Sequence, residues 1–308
     1  MRNLESISVL MGGPDAEREV SLHSGDRVAT ALETFPDLRV ERHVIDRPDG
    51  STLRDLLDRA DPDVVFPVLH GPWGEGGPLQ RLLQEIGRPY VGCGPESAAL
   101  AMDKIATKRR AAELGLPTPQ AATIGPNEQP SLEPPFVIKP VDEGSSVGVR
   151  VVERADQCSE ILRELRARHE HLMAETWISG RELTVGIVGD RVLPIIEILP
   201  AEGFYDFEAK YRRDDTGYQL GPTLPPGLEQ RLATWSRRIH DGIGARDLSR
   251  VDWLLGTAPD GTPEPWFLEV NTLPGMTDHS LVPMGAEAIG LPMPALCRTL
   301  AESALRRG

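Results

Sequence analysis

The chain has 308 residues, 40% of them hydrophobic and 26% charged, a balance that excludes a disordered or fibrous protein and allows about two domains. Lysine and arginine total 33 against 47 acids, a formal net charge of −14, which argues against nucleic-acid binding, since that affinity comes from neutralising phosphates. Three scattered cysteines, Cys93, Cys158 and Cys297, with no C-x-x-C pair, fit a reducing compartment and supply neither a zinc site nor a disulfide framework.

The segment before Gly12-Gly13 makes a poor signal peptide. No stretch approaches about 18 apolar residues, so a soluble cytoplasmic protein is expected, with no membrane partner. Ile7-Ser8-Val9-Leu10-Met11 reads as a buried strand, followed by Gly12-Gly13 and a helix from about Ser21. Val64-Val65-Phe66-Pro67-Val68-Leu69 repeats the pattern and ends at His70-Gly71. Strand, glycine turn, helix and strand again indicate a parallel α/β sheet. Ligands gather at the carboxyl ends of such strands, which makes Glu17, Arg18, Glu19 and His70 candidates. One helix is expected from Gly94-Pro95 through Met102-Asp103-Lys104 to Gly115, with Pro117 beyond it.

After a proline-rich loop, β-like runs fall near 136–139, 147–152, 172–178, 182–188 and 192–198. They lie too close together for helical crossovers between all of them, so part of this region is antiparallel, with a helix near 155–170. A boundary is expected near residue 100 and a further one near 190.

Phe136-Val137-Ile138-Lys139-Pro140 puts a lysine at the end of an apolar strand, where it either snorkels outward or meets an anion. Gly144-Ser145-Ser146-Val147-Gly148 is either a backbone cradle for phosphate oxygens or a plain hairpin turn. It lacks the Gly-Lys-Ser/Thr end of a Walker loop. Between Gly203 and Gly221, Tyr205, Tyr211 and Tyr218 interleave with Phe204, Phe207 and Lys210. That composition suits a lid that folds over a ligand, or a fixed surface loop.

The most informative segment comes late. In Ser249–Leu255 the residues Arg250, Asp252 and Leu254 share a face, and in Pro265–Asn271 Glu269 and Asn271 share one. If the hairpin turns between Asp260 and Gly261, Asp252 falls opposite Glu269 and Arg250 opposite Asn271. Two carboxylates at ~4 Å repel by about 1 to 4 kcal/mol, and a divalent cation reverses that sign. Two carboxylates and an amide oxygen suit magnesium shared with substrate phosphates; the alternative is the solvated face of an edge hairpin. Gly275, just beyond, offers a close-approaching N–H for an oxyanion, or is an ordinary loop glycine.

Together these segments resemble the D-alanine–D-alanine ligase family of ATP-grasp enzymes, over nearly the whole chain from Gly12 to about Met284. The resemblance rests on Gly12-Gly13 with Glu17-Arg18-Glu19-Val20-Ser21, His70-Gly71 with Gly74-Glu75, Met102-Asp103-Lys104, and Lys139-Pro140 with Glu143–Gly148. It continues through Phe204–Tyr211, Arg250-Val251-Asp252, Leu268–Thr277 and His279–Met284. Eight blocks in family order are a specific match.

The resemblance implies an α/β (α+β) protein: an N-terminal Rossmann-like domain over residues 1–100 that binds the first D-alanine, then a small central ATP-grasp domain over 101–186 and a larger C-terminal one over 187–308. ATP would lie between the last two. Lys104 and Lys139 would contact its phosphates, Glu175, Trp177 and Ile178 the adenine, Glu182 the ribose, and Lys210 the γ-phosphate from the lid. Asp252, Glu269 and Asn271 would hold two magnesium (or manganese) ions. Glu17 would anchor the first D-alanine's ammonium, Arg250 and the Gly275 amide would stabilise the oxyanion, and His70, Ser280 and Leu281 would line the substrate site. Ser145 and Tyr211 would pair with Glu17 to tie the lid down, and Tyr211 favours the dipeptide-forming class over the ester-forming one. A homodimer acting in peptidoglycan precursor synthesis is expected. Two departures stand out: Gly76, where relatives usually carry an acid, and a loosely matched Gln219–Thr223. The competing readings are an ATP-grasp ligase for another carboxylate and nucleophile, and a nucleotide-binding module without catalysis.

Overall fold

The first strand, β1 (Ser6–Gly12), is buried along its whole length, as a strand covered on both faces must be. β2 (Arg39–Ile45) and β3 (Val64–Pro67) pair with it in parallel, in the order β2-β1-β3. This is the computed structural model of residues 3–144, 147–199, 217–258 and 260–308. The crossovers are α1 (Arg18–Leu32) and α2 (Gly50–Ala60). α1 packs tightly on the sheet at Gly25, where a Cβ would lie 2.6 Å from that of Met11. On the other face, α3 (Gly71–Gly74) and α4 (Pro78–Ile86) bring Trp73, Leu79 and Leu83 onto Leu10, Val65 and Leu69.

The single helix expected between Gly94 and Gly115 is two, α5 (Pro95–Met102) and α6 (Lys104–Glu113). Asp103 breaks it by taking an extended conformation (φ −80°, ψ 101°) and accepting a hydrogen bond from the Ala106 N–H at 2.9 Å. A short acidic side chain competes with the helix for backbone donors and so favours the cap over the interior. The break restarts the helix at Lys104 and turns that residue into a cleft.

The second sheet is antiparallel, as the close strand spacing implied: β4 (Ala121–Ile124), β5 (Phe136–Pro140), β6 (Arg150–Val152) and β7 (Leu172–Thr176), in the order β4-β7-β5-β6. α7 (Cys158–Arg166) covers one face through Leu162 and Leu165.

The third sheet runs β11-β10-β8-β12-β13 with β9 beside β8. Its strands are β8 (Arg181–Val188), β9 (Arg191–Val192), β10 (Ile196–Leu199), β11 (Gly217–Leu220), β12 (Leu248–Thr257) and β13 (Pro263–Asn271). The boundary expected at 186/187 therefore falls inside β8, which pairs with β12 from Val188 to Arg181. The chain passes between sheets at Trp177–Gly180, where a Cβ on Gly180 would lie 2.3 Å from the Leu255 carbonyl oxygen. α8 (Leu228–Gly242) lays Leu232 and Ile239 on Val251, Trp253 and Phe267.

Two helices close the chain, α9 (Leu281–Ala288) and α10 (Met293–Arg307). α10 does not complete the third sheet alone. Its Leu296, Leu300 and Ala301 join Val9, Val28, Leu32 and Phe66 in one core, and Arg307 reaches the Tyr90 carbonyl and Asp247. The unit expected over 187–308 is thus divided, its last helix sealing the first sheet. Among the described residues no helix is long and apolar enough to cross a membrane.

Buried His240 in α8 shares a hydrogen with Ser249 Oγ at 2.7 Å. Burial first, then Arg237, pushes its pKa down to about 4. The unfolded chain therefore takes up a proton that the folded one refuses, and stability is lost as pH falls from about 6.5 toward 4. For His240→Gln we expect a shallower decline over that interval, by up to about 3 kcal/mol, read from urea midpoints at pH 7 and pH 4.5. An unchanged slope would remove His240 as the cause.

Candidate active site

β12 and β13 carry the carboxylates. Arg250 lies opposite Asn271 and Asp252 opposite Glu269, the expected pairing. The turn that produces it is not the expected one. Toward the tip the pairs run from Trp253↔Phe267 to Thr257↔Pro263, so the hairpin pivots on Asp260 and Leu268 is an extra residue in β13. A bulge of this kind breaks the two-residue alternation. Phe267 and Val270 both enter the core, while the consecutive Leu268 and Glu269 both face the cleft.

Asp252 is buried and well held. It accepts from Arg250 Nε at 2.9 Å and Nη2 at 2.8 Å, and from Thr184 Oγ1 at 2.7 Å. Glu269 lies 3.9 Å from Lys104 Nζ, and Asn271 Oδ1 accepts from the Leu273 N–H at 2.8 Å. The guanidinium and ammonium offset the like-charge cost of the opposed carboxylates. Hard oxygen donors on rigid strands fit a divalent cation. Among the described residues no three His, Cys, Asp or Glu side chains form a complete cage, so such an ion would take remaining ligands from bound substrate.

One cleft opens between the second and third sheets. Val137, Val149, Ile178, Leu254 and Leu268 form its apolar walls, and Lys104, Lys139, Glu175, Trp177 and Glu182 also line it. A flat aromatic base with a charged tail suits such a slot. Lys139 meets an anion rather than solvent, its Nζ lying 2.8 Å from Glu175 Oε1. Burial pushes the Lys104 ammonium's pKa down, against the pull of Glu269. Burial acts to raise the Glu175 pKa, but Lys139 and Lys108 outweigh it and hold the carboxyl below its ordinary value.

A second cleft lies between the first and third sheets, lined by Glu17, His70, Arg250, Gly275, Ser280 and Leu281. Glu17, buried at the start of α1, and His70, at the end of the β3 segment, come from the carboxyl edge of the first sheet. His70 Nδ1 is 3.9 Å from Glu75 Oε2. Burial opposes the charge on both; it raises the Glu75 carboxyl, whose charge in turn carries His70 above the ordinary imidazole value. Ser280 Oγ accepts from the Thr277 N–H at 2.9 Å and lies 3.0 Å from where a Gly275 Cβ would stand. The two clefts meet at Asp252 and Glu269, which line both.

Apart from Arg18 and Glu19, every described residue proposed for the site from the sequence borders one of these clefts; Arg18 instead donates to the Gly13 carbonyl at 2.8 Å and lies 2.6 Å from Asp46 Oδ1. Ser145, Lys210 and Tyr211 lie outside the described residues. Sequence reasoning missed Thr184 and Lys108, and named Glu75 and Leu268 within motifs without giving either a role. Two signals were available: Lys108 stands four residues after Lys104 on one helix face, and Thr184 shares a strand face with Glu182. Gly76, the departure noted above, has a local reason, since a Cβ there would lie 2.4 Å from the Pro72 carbonyl oxygen.

Comparison with known proteins places these features in a family. The D-ala D-ala ligase C-terminus family model matches residues 118–302, and the D-ala D-ala ligase N-terminus model residues 43–93. A D-alanine–D-alanine ligase of Gluconobacter oxydans is 42% identical over 308 aligned residues, covering 98% of this chain and 99% of the relative. The D-alanine–D-alanine ligase B of Chromobacterium violaceum is 40% identical, covering 96% of this chain and 97% of the relative. Among solved structures, the D-alanine–D-alanine ligase from Bacillus anthracis complexed with ATP superposes with a TM-score of 0.83 at 30% identity, covering 99% of this chain and 98% of that one. The VanG D-Ala:D-Ser ligase from Enterococcus faecalis gives 0.79 at 26% identity, covering 98% and 100%.

Proposed function

The chain belongs to the D-alanine–D-alanine ligase family of ATP-grasp enzymes, and we propose that it joins two D-alanine molecules at the two clefts described above, with cleavage of ATP to ADP and phosphate. The product is D-alanyl-D-alanine, a peptidoglycan precursor. The observation that carries the site assignment is the junction of both clefts at Asp252 and Glu269, because the reaction moves a phosphoryl group from one ligand to the other at one point.

A carboxylate resists attack by an amine because its oxygen is a poor leaving group. Phosphorylation cures this: a carboxylate oxygen of the first D-alanine attacks the γ-phosphorus, ADP departs, and an acyl phosphate remains. The deprotonated amine of the second D-alanine attacks the acyl carbon and its nitrogen gives up a proton to solvent, the tetrahedral adduct collapses, and the C–O bond breaks to release inorganic phosphate. The protein's work is positioning and charge neutralisation.

In this reading Trp177, Ile178 and Glu175 hold the adenine, Glu182 the ribose, and Lys104 and Lys139 the phosphates. Lys210 reaches the γ-phosphate. Asp252, Glu269 and Asn271 hold magnesium, in one or two ions, which when bound neutralises phosphate charge. Glu17 takes the first ammonium, with Ser145 and Tyr211 tying the lid to it. Arg250 and the Gly275 N–H face the developing oxyanion, and His70, Ser280 and Leu281 frame the amino acids. A cytoplasmic homodimer belongs to the same reading, and sedimentation velocity tests its oligomeric part.

The test is the product formed from ATP, magnesium and D-alanine. Phosphate release dependent on D-alanine, with a dipeptide identified by mass, is expected. Equal release with D-lactate or D-serine as sole second substrate would assign a different ligase, and ATP binding without any release would leave a non-catalytic module. Thr184→Val should lower stability by about 1 kcal/mol and slow phosphate release several-fold, since Asp252 keeps its Arg250 fork. Wild-type rates would show the Thr184 hydroxyl to be idle.

A further inference from the structure

Lys108 is a buried charge that the reaction as described does not use. It lies on α6 one turn after Lys104 and is 4% exposed. Its Nζ stands 2.5 Å from Glu175 Oε2 and donates to Thr118 Oγ1 at 3.0 Å and to the Phe267 carbonyl at 3.4 Å. Thr118 Oγ1 donates to the same carbonyl at 2.9 Å. Phe267 immediately precedes the bulge residue Leu268. One ammonium therefore joins α6, the end of β7 and the bulge that turns Leu268 and Glu269 into the cleft.

The other oxygen of Glu175 carries Lys139. A carboxylate with a single partner would hold that partner strongly at this depth, because the pair is screened little by water. With two ammoniums on it, each is held less tightly. Burial lowers the Lys108 pKa to about 8, with Glu175 opposing the shift, so the second ammonium is mostly charged at neutral pH.

We propose that Lys108 is a positioning residue for the nucleotide: by occupying one oxygen of Glu175 it releases Lys139 to engage the phosphates. The proposal rests on reading Lys139 as a phosphate ligand. Lys108 touches neither base nor phosphate, and its effect passes through Glu175 and Lys139.

The experiment compares ATP with adenosine, both titrated calorimetrically with magnesium and without D-alanine. For Lys108→Met the ratio of ATP to adenosine affinity should fall about tenfold while adenosine affinity stays within about twofold. A general loosening of the cleft would weaken both ligands together. Lys108→Met is then introduced beside Glu175→Gln, where no carboxylate captures Lys139. The double variant should match Glu175→Gln alone in that ratio, and this arm reads the proposal even if Lys108→Met alone fails to fold. An unchanged ratio in Lys108→Met, parallel losses for both ligands, or a lower ratio in the double variant than in Glu175→Gln would each overturn it. If wild type binds ATP no more tightly than adenosine, the phosphate-ligand reading of Lys139 fails first.

Discussion

Glu269→Gln should lower kcat by about a thousandfold while leaving a folded protein. The substitution keeps the side chain's shape in the space beside Leu268 and removes only its charge. Two losses follow. The opposed pair Asp252–Glu269 becomes one carboxylate and one amide, a weaker donor set for a divalent cation. Lys104, buried and pushed toward its neutral form, also loses the carboxylate that chiefly opposes that push. Its pKa falls further, so whatever activity remains should decline at lower pH on the alkaline side than in wild type. Stability should be unchanged or slightly higher, because like charges directly opposed on neighbouring strands cost free energy. Phosphate release across pH 6–10, with circular dichroism and thermal melts, checks all three points. Full activity would remove Glu269 from the metal site, and an unfolded variant would make its role structural.

Arg250→Lys should reduce kcat by roughly a hundredfold or more, and the reason is geometric. The guanidinium grips Asp252 through both Nε and Nη2, which fixes the plane of the fork and the direction of its outer N–H groups. A lysine in its place supplies the same charge as a mobile point with no fork. Asp252 would keep the Thr184 bond but lose the partner that sets its other oxygen. The loss should fall on kcat, with little change in the KM for ATP, because Arg250 lines the amino-acid cleft and not the nucleotide walls. Steady-state kinetics with each substrate varied in turn separate these outcomes. A purely KM effect on ATP would move Arg250 out of the oxyanion role.

The hairpin shows how a correct contact can be reached through a wrong intermediate. A turn between Asp260 and Gly261 pairs Asp252 with Glu269, and so does a turn on Asp260 followed by a bulge at Leu268. The two differ only between turn and bulge. The difference decides whether Leu268 faces the core or the nucleotide cleft. Nothing local marks it, because Phe267, Leu268 and Val270 are all apolar and all suit a strand.

By itself the chain of residues determined the buried strands, the antiparallel character of the middle region, the pairing of the two carboxylates and the family, since each is written in short-range periodicity, turn chemistry or motif order. Tertiary structure alone decided the rest. α10 leaves the third sheet to cover Val9 and Phe66, and Lys108 meets a carbonyl 159 positions along the chain. Contacts of that span depend on which surfaces must be buried together once the sheets have formed, and no local pattern encodes the choice.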